Sequence, residues 1–112
     1  MPVHRVALTD ERGRRRSVAS ALTAEYSVAG YSVLAADASI AQGRAYLAVL
    51  GPDGEVRPVF LALESELGEH GRVLLYRPYP PHEYPTRWPN RIAALLTTRE
   101  PRGWSRREPD RG

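Results

Sequence analysis

The four residues Gly51-Pro52-Asp53-Gly54 stand between two apolar runs, RAYLAVL over 44–50 and EVRPVFLAL over 55–63. That spacing closes a β-hairpin, and the turn chemistry agrees with it. Pro52 pre-sets φ at the first central position, Asp53 tolerates the second, and Gly54 can take positive φ. The first run is almost continuously apolar, as in a strand buried on both faces. Pro58 interrupts the second run. It has no N–H to give a ladder, so an edge or a bulge is expected there.

Around this hairpin the chain reads as a compact α+β domain. Ser17 can cap a short helix reaching about Tyr26, in which Val18, Leu22 and Tyr26 repeat every four residues. Ala19, Ala21 and Ala24 add helix propensity. Residues 31–36, YSVLAA, and 72–77, RVLLYR, are further strand candidates, and ESELGEHG over 64–71 reads as an acidic loop. Asn90 can cap a helix over 91–98, whose Ile92, Leu95 and Leu96 form one apolar patch. The expected fold is a three- to four-stranded antiparallel sheet, with the short early helix and the 91–98 helix packed on one face. At 112 residues the chain holds one domain. Its expected extent is 17–99, with residues 1–16 a basic flexible arm and 100–112 a mobile tail whose one large apolar residue is Trp104.

Composition removes several classes of function. There is no cysteine, so disulfides and thiolate metal sites are excluded. The N-terminal residues lack the apolar run of a signal peptide, and no segment approaches the ~18 apolar residues of a membrane span. A cytoplasmic protein with no membrane partner is expected. All sixteen basic residues are arginine. Selection for forked, bidentate contacts to phosphate or carboxylate would explain that choice, and codon bias in a GC-rich genome is the simpler explanation, since Ala, Gly and Pro are enriched as well. The placement of the arginines says more. Residues 1–16 carry a net +3, residues 17–71 a net −5, residues 72–99 a net +4 and residues 100–112 a net +1. Such asymmetry marks either a polyanion-binding face or solvated charge at chain ends.

The second basic block coincides with LLYRPYPPHEYPTRWPNR, residues 74–91, which holds five of the ten prolines and four of the nine aromatic residues. Three readings fit it. Tyr76, Tyr79, Tyr84 and Trp88 could stack bases while Arg72, Arg77, Arg87 and Arg91 neutralise phosphates. The basic arm, with Arg12, Arg14, Arg15 and Arg16, would then add sequence-blind attraction. Alternatively, RPYPP could adopt polyproline II and dock in another protein's aromatic groove. In the third reading the prolines stiffen a loop whose aromatics seal the sheet. A strand before the segment and a helix after it favour the third reading, because a loop tied at both ends must pack, and such a packed corner can still bind.

Taken together, AYLAVLGPDGEVRPVFLAL, Tyr76-Arg77, Pro85 and WPNRIAALLT resemble a family of small uncharacterised proteins of bacteria, phages and mobile elements. In that family a Tyr-rich hairpin precedes a Tyr-Lys motif with an acidic run, and a Cys-Pro leads into an Arg-Ile-Leu helix ending in Leu-Leu-Thr. Here the acidic run is YRPYPPHEYP, which keeps only Glu83, and Trp88 stands at the cysteine. The resemblance implies a fold and a setting but no activity.

No catalytic or metal motif is specific. Glu64, Glu66, Glu69 and His70, or His82 with Glu83, are ligand-type residues without HExxH or paired-histidine spacing, and a solvated loop is the simpler reading. There is no GxSxG elbow, and GPDG is too short and lacks the lysine of a phosphate loop. A pocket gathering His82, Glu83 and Tyr76 would revive an enzymatic reading. The expectation is a non-enzymatic accessory or regulatory protein that acts by binding, without cofactor or metal. Nucleic acid is the first partner to test. The alternative is a protein-interaction module or homodimer using the hairpin edge or the Pro-rich loop.

Overall fold

The computed structural model of the protein describes residues 3–98. Its elements are β1 (His4–Ala7), α1 (Val18–Val28), β2 (Ser32–Ser39), β3 (Arg44–Leu50), β4 (Val56–Leu67), β5 (Val73–Pro78) and α2 (Asn90–Thr98). The tail with Trp104 lies outside the described residues. The strands form a single antiparallel sheet in the order β1-β5-β4-β3-β2. Helix α1 touches β1 and β2, the two opposite edges, so the sheet curls around it. No described helix is long and apolar enough to cross a membrane.

The expected hairpin is the centre of this sheet. Leu50 pairs with Val56, and Gly54 at φ 83° donates its N–H to the Gly51 carbonyl at 3.0 Å. The sheet has five strands rather than three or four. The additional one is β1, which has only weak alternation of its own and is held by pairing with β5, Val6 opposite Leu74. Residues 4–16 are therefore not the flexible arm expected of them. The Leu8 N–H donates to the Arg72 carbonyl at 2.8 Å and the Arg16 N–H to that of Leu8 at 2.9 Å. Asp10 closes the intervening turn by accepting from the N–H groups of Arg12 and Arg14. Burial of Val6 and Leu8, 1% and 5% exposed, supplies the driving force.

The acidic stretch likewise is mostly strand. β4 continues to Leu67 past a bulge between Leu63 and Ser65, which leaves Gly68 to Gly71 as the turn. Pro58 sits as its chemistry requires. β5 pairs with β4 only from Leu61 onward. Upstream of that point the neighbour of β4 is the Pro-rich loop, whose Tyr84 hydroxyl donates to the Pro58 carbonyl at 3.2 Å. In a strand a residue's N–H and C=O point the same way, so the missing donor of Pro58 faces a loop that asks nothing of it.

The two helices cover opposite faces rather than one. Ala45, Leu47 and Val49 of β3 pack with Ala21 and Leu22 of α1 in a cluster that also holds Val6, Leu8, Leu61, Leu74 and Tyr76. The intervening Tyr46 meets Phe60 and Trp88 on the other side, where α2 lies against β2, β3 and β4 and buries Ile92. A central strand that is apolar on both faces needs a cover on each, and one helix cannot supply both. Ser17 caps α1 as expected, its hydroxyl accepting from the Ser20 N–H at 3.0 Å.

Candidate functional site

The Pro-rich loop leaves β5 at Pro78 and follows the unpaired stretch of β4. The Tyr79 N–H donates to the Phe60 carbonyl at 3.0 Å, a short 3-10 turn covers Pro81–Glu83, and the Trp88 indole N–H donates to the Pro85 carbonyl at 2.9 Å. The loop then crosses to the second face of the sheet. There Trp88 stands edge to face against Tyr46 at 5.6 Å, Tyr84 at 5.5 Å and Phe60 at 6.3 Å between ring centroids. Tyr79 packs on Phe60 at 5.0 Å. Tilted and edge-to-face pairs of this kind stabilise beyond the area they bury, so the aromatics fix the path of the loop.

The residues expected to bind thus have several different fates. Tyr76 is completely buried in the α1 core, where its hydroxyl has no hydrogen-bond partner, so its ring offers no face to a base. Tyr79, Tyr84 and Trp88 are half-buried in packing with their neighbours. The Arg77 guanidinium is bonded to Glu64 at 2.7 Å and lies over the Tyr79 ring at 4.9 Å. Arg91 reaches the Ala36 carbonyl at 3.1 Å. Arg72 and Arg87 are exposed. Arg12, Arg14 and Arg15 are exposed on the folded turn, while Arg16 is half-buried and its Nε donates to the Ala7 carbonyl at 3.1 Å. The hairpin has no open edge along β3, and near Pro58 its β4 edge is covered by the loop.

Where the loop passes β4 it forms one wall of a pocket of about 570 Å³. Pro81 and Tyr84 make that wall, and Val49, Pro58 and Val59 contribute from the sheet. Glu25, Tyr26 and Ala29 come from the last turns of α1, Tyr31 from the link to β2 and His4 from β1. Chain connectivity explains why these groups meet. The sheet curls around α1, so the end of α1 approaches β1 from one side and the free stretch of β4 from the other.

The polar groups of the pocket are few and mostly paired. The Tyr26 hydroxyl and His4 Nε2 lie 3.2 Å apart, the donor being set by the imidazole tautomer. Burial, reinforced by nearby Tyr84, Glu25 and Tyr31, pushes the Tyr26 phenol up to about 12, so it is neutral and protonated at physiological pH. Burial raises the Tyr84 phenol too. Arg57 at the rim grips Asp53 through two contacts, 3.2 and 2.6 Å, and this hydrogen bonding holds the Asp53 carboxyl down at about 2.

Of the expected site residues only Tyr84 lines this pocket. His82 and Glu83 are exposed beside it, 3.5 Å apart, and do not converge there with the buried Tyr76. Sequence reasoning missed His4, Tyr26 and Tyr31. Tyr26 belongs to the apolar stripe of α1 and reads as core, and nothing local to His4 announces that β1 joins the sheet. Comparison with family models, with curated proteins and with solved structures returns no match for this chain.

Proposed function

We propose that this protein is a non-enzymatic accessory or regulatory protein that acts by binding, and that a small ligand occupies the pocket between α1 and the Pro-rich loop. The observation that carries this reading is the pocket itself. Its ~570 Å³ falls within the range of about 300–1,000 Å³ usual for small-molecule sites. Apolar walls and a few convergent polar groups suit orientation of a ligand. No nucleophile and base stand within reach of one another there with a third group to orient them, which favours binding over turnover.

Ala29 gives a clean test, because it lies at the exposed end of α1 yet lines the pocket. Ala29→Trp should block the pocket while adding its bulk at an exposed position. In an amide-shift screen of small aromatic and amine fragments, hits on the parent should move Tyr26, Tyr31 and Tyr84, and should vanish in Ala29→Trp at an unchanged melting temperature. Binding that survives this substitution would place the site elsewhere.

A second reading, nucleic-acid binding, is favoured by the exposure of Arg12, Arg14, Arg15 and Arg72 about one folded turn, where the Arg72 carbonyl meets the Leu8 N–H. Affinity for a single-stranded oligonucleotide would then fall steeply with salt, as phosphate contacts require. A protein partner or a second copy docked on an apolar surface would show little salt dependence.

A further inference from the structure

The free valences of the pocket restrict what it can hold, and the inference drawn from them rests on the reading that the pocket is the binding site. The Tyr26 hydroxyl is engaged with His4, the Tyr84 hydroxyl donates to the Pro58 carbonyl, and Arg57 is neutralised by Asp53. Of the two formal charges that line the pocket, Arg57 is engaged by Asp53, and the Glu25 carboxylate has no ion-pair partner among the described residues. A ligand rich in donors and acceptors would leave them unsatisfied against Val49, Val59, Pro58 and Pro81. An anion would meet Glu25.

The aromatic walls point the other way. Tyr26 and Tyr31 stand at 89° with centroids 6.4 Å apart, and the His4 ring tilts by 59° against Tyr26 at 5.2 Å. Tyr84 faces them from the loop. Ring faces attract cations through their quadrupole, and a cation sheathed in methyl groups needs no hydrogen bond. We infer that the pocket takes a quaternary ammonium group, held by the Tyr26, Tyr31 and Tyr84 rings and by the charge of Glu25. The group's apolar methyls match the apolar surfaces between the rings.

The test uses choline and its neutral carbon isostere, in which tert-butyl replaces trimethylammonium, titrated into the full-length protein by NMR. The two share shape and differ in charge. Choline should bind more tightly by on the order of tenfold. Glu25→Gln should weaken choline by roughly two- to fivefold and leave the isostere unchanged. Ala29→Trp should abolish both. If the isostere binds in the pocket as tightly as choline, the cation inference fails while the pocket reading stands. If neither ligand moves Tyr26, Tyr31 or Tyr84, and the fragment screen finds nothing there either, both fail. Phosphatidylcholine vesicles, compared with phosphatidylglycerol vesicles, separate the two sources of this chemistry. Retention on phosphatidylcholine that Ala29→Trp removes assigns the group to a lipid headgroup. Choline binding without retention assigns it to a free small molecule. Either result sustains the inference.

Discussion

The two faces of the sheet are closed by different means. On the α1 face, Val6, Leu22, Leu47, Val49, Leu61 and Leu74 are each at most 2% exposed, and a helix seals them. On the other face Tyr46, Phe60, Tyr79, Tyr84 and Trp88 interlock in tilted and edge-to-face pairs under a loop and the start of α2, and most are only partly buried. An aliphatic core excludes water and tolerates no gap. An aromatic cluster beneath a loop fixes a path while leaving surfaces accessible. The pocket lies where the second kind of closure meets the first, between the end of α1 and the loop wall.

This contrast makes graded predictions. Leu74→Ala removes a fully buried side chain from the sealed face and should cost about 2–5 kcal/mol, read as a lower denaturant midpoint. Trp88→Ala should cost less than the roughly 3–5 kcal/mol of a sealed tryptophan, because its ring is only half-buried. It should also release the loop, seen as loss of amide protection at Tyr79. A Trp88→Ala loss at the full ~3–5 kcal/mol of a sealed tryptophan, with Tyr79 still protected, would erase the distinction between the faces.

Tyr76→Phe tests the one polar intruder on the aliphatic face. Its hydroxyl is buried without a partner, a state that costs about 1–3 kcal/mol. The variant should therefore be at least as stable as the parent, by up to about 1 kcal/mol. A marked destabilisation would mean that the hydroxyl has a partner.

The phenols give a pH test. Tyr26, Tyr76 and Tyr84 are raised by burial above the ordinary value of 10.0, Tyr26 to about 12. A raised acid favours its neutral form in the folded state. The associated stability is present in full below 10.0 and is lost as pH climbs through that value towards about 12. A spectrophotometric tyrosinate titration of the folded protein should show a late-ionising group that joins the others in denaturant. Uniform ionisation of the folded protein would remove the buried phenols from the account.

What the sequence disclosed follows the range of the interactions. The 44–50 strand, its partner as far as Leu63, the Ser17 cap and the α2 patch rest on contacts between near neighbours, and all were legible. β1 was not, because four residues of weak alternation acquire a strand's geometry only from β5, some seventy positions away. Glu64 and Glu66 read as loop because their charges hid a strand whose pairing with β5 is likewise remote. The double burial of β3 was visible in RAYLAVL, and it implied the cover on each face that the one-face arrangement of helices overlooked. The Pro-rich segment was legible as a packed corner. The pocket behind it was not, since His4, Tyr26, Tyr31 and Tyr84 come from four separate segments joined only by the curl of the sheet.

The central claim is that residues 79–89 form a fixed wall rather than a free ligand for another protein's groove. Native-state amide and indole hydrogen exchange tests it most directly. The Tyr79 amide, bonded to the Phe60 carbonyl, and the Trp88 indole N–H, bonded to the Pro85 carbonyl, report on the two ends of the wall. Both should exchange far more slowly than in an unstructured chain, with the Tyr79 amide protected alongside the β4–β5 ladder. Exchange of both at the unstructured rate, while the ladder stays protected, would contradict the account.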